Sequence, residues 1–125
     1  MGEQSSGALT AARAVELLSV AQFQEELRRV TRFRSRGPVG DPLDAAVRRI
    51  KQNPAFTQSR LLTRILLALV YQQGEFRRAE IAAFDRDTLD IVIALMDARA
   101  GGTSTTEEWI SAADQAKAAQ AGAGG

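Results

Sequence analysis

The chain contains no cysteine and no histidine. Without cysteine there is no disulfide frame, no thiol nucleophile and no thiolate metal site. Without histidine there is no imidazole base, no Ser-His-Asp triad and no His-ligated zinc. Any metal would have to be held by oxygen alone, which selects a hard cation such as magnesium or calcium. Long apolar runs are missing too. The longest, residues 65–71, is far too short to span a bilayer. Residues 1–7 have neither the basic start nor the apolar stretch of a secretion signal. No membrane partner and a cytoplasmic location are therefore expected. Met1, Gly2 and Ser6 fit the loose myristoylation pattern M-G-x-x-x-S, which a floppy chain start satisfies equally well.

What is present is ordinary for a globular protein. Of 125 residues, 45% are hydrophobic and 25% charged, enough for one domain with a real core. The net charge of +1 creates no global field toward nucleic acid or acidic membranes. Richness in alanine, arginine and valine points to a GC-rich, bacterial genome. The expected organisation is a disordered N-terminus over residues 1–8, one helical domain over 9–118, and a disordered Ala/Gly tail over 119–125.

Apolar residues recur at helical spacing in every segment, and strand alternation is absent. Ala11, Ala14, Val15 and Leu18 form one stripe, and Val20, Phe23, Leu27 and Val30 another. Ser19 with Gln22 offers a capping box between them, and the second helix should end near Phe33. Gly37, Pro38, Gly40 and Pro42 break the chain. Asp41 before Pro42 starts a short helix with Leu43, Ala46, Val47 and Ile50 inward, stopped at Asn53-Pro54. Residues 59–73 carry Leu61, Leu62, Ile65, Leu66, Leu67, Leu69, Val70 and Tyr71, a helix apolar nearly all round and so central, with Gly74 as its stop. Residues 76–84 read as a short helix. Asp85 or Asp87 caps the next, from about Thr88 to Arg99, which buries Leu89, Val92, Ile93 and Met96. Gly101 and Gly102 stop it. Ser104 with Glu107, or Thr105 with Glu108, caps a last helix carrying Trp109, Ile110 and Ala113 inward. The fold class is all-α: a compact bundle of five or six short helices around the apolar helix at about 59–73.

The stretch ILLALVYQQGEFRRAEIAAFDRDTLDIVIALMDARAGG, residues 65–102, resembles the tri-helical core of winged-helix regulators, with AEIAAF in the short middle helix. That resemblance implies nucleic-acid binding through the third helix. Its side-chain chemistry opposes this. Asp87, Asp90, Ala94 and Asp97 fall on one face at i, i+3, i+7 and i+10, an acidic stripe where a groove-reading helix needs neutral or basic residues. No wing hairpin is expected after it, because Thr105 onward reads as helix. A face of this kind suits a protein partner or plain solvent.

Charge is unevenly divided. Residues 1–78 hold 13 basic and 7 acidic side chains, and residues 79–125 hold 3 basic and 8 acidic. Arg28, Arg29, Arg32, Arg34 and Arg36 crowd one helix end and the following loop, with Arg48, Arg49 and Lys51 soon after. Three explanations stand. The arginines meet the helix dipole; the two parts complement each other within a chain or across a dimer; or the cluster binds phosphate in nucleic acid or another anion. Few aromatics interleave the arginines, which disfavours nucleic acid.

No catalytic constellation emerges. Glu25-Glu26 and Glu107-Glu108 are adjacent on helices and point apart. Asp85, Asp87 and Asp90 lack EF-hand spacing, and helix capping explains them. Gly101-Gly102 ends a helix instead of opening one, so it cradles no phosphate. No cofactor is expected. The reading that follows is a non-enzymatic helical interaction module, binding a protein partner or itself through a charged or apolar face. The alternatives are a small nucleic-acid-binding protein, through residues 65–102 or the 28–36 cluster, and a small enzyme with an oxygen-only site.

Overall fold

The computed structural model describes residues 17–32 and 37–124. The order of elements is β1 (Leu17–Ser19), α1 (Val20–Thr31), α2 (Pro42–Gln52), α3 (Thr57–Tyr71), β2 (Glu75–Arg77), α4 (Ala79–Ala83), α5 (Arg86–Gly101) and α6 (Thr106–Gly124). The architecture is a helical bundle carrying one short antiparallel strand pair, which the sequence pattern does not announce. Leu17 pairs with Arg77, Leu18 with Phe76 and Ser19 with Glu75. Leu18 and Phe76 point inward, their neighbours outward. Leu18 was expected at the end of a helical stripe and Phe76 at the start of a helix; both are strand residues. The earlier members of that stripe, Ala11, Ala14 and Val15, lie outside the described residues, as does Phe33.

The helix starts follow local chemistry. Ser19 and Gln22 close a reciprocal capping box on α1. The Asp41 carboxylate accepts the Leu43 and Asp44 N–H groups, with Pro42 at the first helical position of α2. Asp85, and not Asp87, caps α5, and Thr105 with Glu108 caps α6. Helix α3 ends at Tyr71, earlier than Gly74, with Gln72 taking the left-handed conformation. Gly102, at φ +65°, performs that turn after α5.

Helix α3 is buried along its length through Leu61, Leu62, Ile65, Leu66, Ala68 and Leu69. It shares the centre with α5, whose Ile91, Val92, Ile93, Leu95, Met96 and Ala98 are also buried. Phe23 and Leu27 of α1, Leu43, Ala46 and Ile50 of α2, and Trp109 of α6 close around them. Phe23 stacks on Phe76 at 4.2 Å between ring centroids, tying α1 to the strand pair. Three expected core residues face outward, Tyr71 at the end of α3 being 44% exposed. Val30 is 53% exposed, its place on the inner face of α1 being taken by Thr31, and Ile110 is 37% exposed. Helix α6 runs through Gly124, with the small side chains of Ala112, Ala113 and Ala116 buried and Gln120 Nε2 donating to the Pro54 carbonyl.

Candidate interaction surface

The buried face of α1 (Phe23, Leu27, Thr31) turns Arg28 and Arg29 outward in its last turn, where the helix dipole favours cations. The Arg28 guanidinium donates to Asp97 Oδ1 of α5 at 2.9 Å. Arg29 pairs with Glu26 one turn back at 3.2 Å, and Glu26 also takes Arg78 at 2.8 Å. Arg32 is engaged as well. Arg34 and Arg36 lie outside the described residues.

The acidic stripe is not the open face that its spacing suggested. Asp87 stands exposed in the first turn of α5, and Asp97 near its end is half exposed. Asp90 is buried, 7% exposed, and its Oδ2 accepts the Gly37 N–H at 3.2 Å. Asp97 holds Arg28, and Ala94 between them is half-buried. The chain at residues 37–40 runs across this face. It leaves a hollow of about 230 Å³ lined by Gly37, Pro38, Val39, Asp87, Asp90 and Ile91, and a second of about 180 Å³ beside Ala94 and Asp97. Thus the basic cluster and the acidic stripe, separate candidates in the sequence, meet each other in one chain.

The same pairing recurs nearby. Arg49 of α2 donates to Asp85 Oδ2 at 3.0 Å. Burial alone would raise the Asp85 carboxyl, but the hydrogen bonds from Thr88, whose N–H lies at 2.8 Å, and the charge and hydrogen bond of Arg49 outweigh it and hold the group low. Arg64 of α3 pairs with Glu80 of α4 and also donates to the Glu75 carbonyl at 2.8 Å. For Glu80 too, burial pushes upward. Arg64, the Arg77 N–H at 2.7 Å and the charge of Arg77 prevail and lower it. Sequence reasoning missed Glu26, Arg64, Arg78 and Glu80 as partners. Their pairings Arg64–Glu80 and Glu26–Arg78 join separate elements, which no local spacing marks.

The hollow of about 200 Å³ beside α2 and α6 gathers Asp41, Asp44 and Glu108. Asp41 is spent on capping α2, Asp44 pairs with Arg48, and Glu108 closes the α6 cap. Among the described residues no group of three carboxylates could hold a metal ion, and no helix is long and apolar enough to cross a membrane. Helix α5, in the recognition position of the tri-helical arrangement, buries Thr88, Asp90, Ile91, Val92, Ile93, Leu95, Met96 and Ala98 and leaves Arg86, Asp87 and Asp97 exposed. Helix α6 follows it where a wing would stand.

No protein-family model matches the chain, and neither a characterised protein nor a solved structure does.

Proposed function

We propose that the chain is a non-enzymatic helical interaction module of the bacterial cytoplasm that binds a protein partner or a second copy of itself. The supporting observation is where charge and apolar surface end up. Opposite charges from the basic first part and the acidic second part meet inside the chain, at Arg28–Asp97 and Arg49–Asp85. The large side chains left facing outward include Phe56 at 61% exposure, Leu17 at 55%, Val30 at 53% and Tyr71 at 44%. Phe56 stands at the start of α3, where its backbone carbonyl accepts the Arg60 N–H while its ring faces outward. Aromatic residues displayed in this way are the type that anchors protein interfaces.

The test compares the wild-type chain with a Phe56→Ser/Tyr71→Ser variant. Sedimentation velocity over a concentration series reads self-association, and capture from native extract reads a partner. The wild type is expected to associate or to retain a partner, and the variant to lose this at an unchanged melting temperature. A wild-type chain that stays monomeric and captures nothing contradicts the proposal, as does a variant that behaves like the wild type.

A further inference from the structure

Helix α4 differs from every other described element in burying none of its own residues. Its five residues are too few to hold a helix in water. Ile81 within it and Phe84 just after it are half-buried against the edge of the core, with the Phe84 ring 6.1 Å from that of Phe23.

What fastens it is mostly charge. Glu80 meets Arg64 of α3 and accepts the Arg77 N–H at 2.7 Å. Arg78 reaches Glu26 of α1 at 2.8 Å. At the far end Gln58 of α3 donates to the Ala83 carbonyl at 2.7 Å and accepts the Asp85 N–H at 2.9 Å. These contacts sit on the rim: the side chains of Arg64 and Arg78 are 42% and 34% exposed. Ion pairs at such exposure contribute little and are screened by salt. Helices α3 and α5 on either side are each anchored by eight buried residues.

We propose that residues 79–84 form a charge-latched flap over Phe23, which opens while the helix bundle stays folded. Opening lifts Ile81 off the edge of the core and Phe84 away from Phe23, uncovering apolar surface there. Segments with few buried apolar contacts open locally at a free energy well below that of global unfolding. The chain therefore has a second state with more apolar surface, whose population rises with ionic strength. This device stands apart from the identity of any partner.

Amide hydrogen exchange on the full chain, followed by NMR at low and high sodium chloride, tests it. The reporters are the Arg77, Ile81 and Asp85 N–H groups, all hydrogen-bonded in the closed flap. They should exchange at least roughly tenfold faster than buried amides of α3 and α5. Glu80→Gln should speed Arg77 and Ile81 about fivefold at low salt, whereas Leu66→Ala should speed the α3 amides and leave these reporters unchanged. High salt should speed the wild type and shrink that difference. Arg78→Gln, at the opposite anchor, should act in the same direction. Reporter amides exchanging at the α3 rate would overturn the flap. Glu80→Gln and Arg78→Gln leaving the reporters unchanged would overturn the latch, and Leu66→Ala speeding the reporters as much as the α3 amides would overturn the flap.

Discussion

Leu66 is fully buried at the middle of α3 and belongs to the core shared with α5. Truncation to alanine removes three carbons from water-free surroundings, about 2.5 kcal/mol of transfer free energy at ~0.8 kcal/mol per methylene. A close-packed site refills only partly, so the residual cavity raises the cost to about 3–4 kcal/mol. A domain of this size has ~5–15 kcal/mol of stability and melts lower by ~4 °C per kcal/mol. Leu66→Ala should therefore melt about 15 °C below the wild type, read by circular dichroism with a urea titration beside it. Leu67 lies on the same helix but is only half-buried. Leu67→Ala should lose less than half as much, which separates burial from helix propensity. Leu66→Asp adds an unpaired buried charge and should not fold. A Leu66→Ala melt within about 3 °C of the wild type, or equal losses at the two positions, would refute a core centred on α3.

Gly102 sits at φ +65° with nothing within 4 Å of an added Cβ. Gly102→Ala should cost about 1 kcal/mol in denaturant unfolding, a purely backbone effect that a neutral result would deny. The Arg28–Asp97 pair is about half exposed on both sides. A double-mutant cycle with Arg28→Ala and Asp97→Ala should give a coupling under ~1 kcal/mol that fades in high salt, and a larger salt-resistant coupling would contradict its rim position. Asp85 and Glu80 are both held below their ordinary values. Their stabilisation is complete above the unfolded-state values and is lost as pH falls through the lower folded ones. Acid unfolding should therefore set in below about pH 4, and Asp85→Asn/Glu80→Gln should flatten the curve there. An unchanged acid limb in that variant would sink the assignment.

Much of the fold was legible because helix starts are written locally. Ser19 with Gln22, Asp41 with Pro42 and Thr105 with Glu108 all cap as their spacing implies. The apolar run in α3 announced a buried helix, though not that α5 would share its place. The strand pair was not legible: three residues each, far apart in sequence, show no period until they meet. The helical tail was hidden by its terminal glycines. The inner face of α6 ahead of it is made of the small Ala112, Ala113 and Ala116, and alanine carries no strong apolar signal of its own. For the candidate surface, spacing set Asp90, Ala94 and Asp97 on one face of α5. It could not reveal that residues 37–40 and Arg28 cover that face, since those contacts bridge 53 and 69 positions of chain.

The central claim is that the basic and acidic parts of the sequence neutralise each other within one chain. Light scattering behind size exclusion, run at low and high salt, tests it most directly. The account predicts the same molar mass at both salts, because the charges are already paired internally and any association is apolar. An assembly that dissociates as salt rises would put those charges at an interface between chains and contradict it.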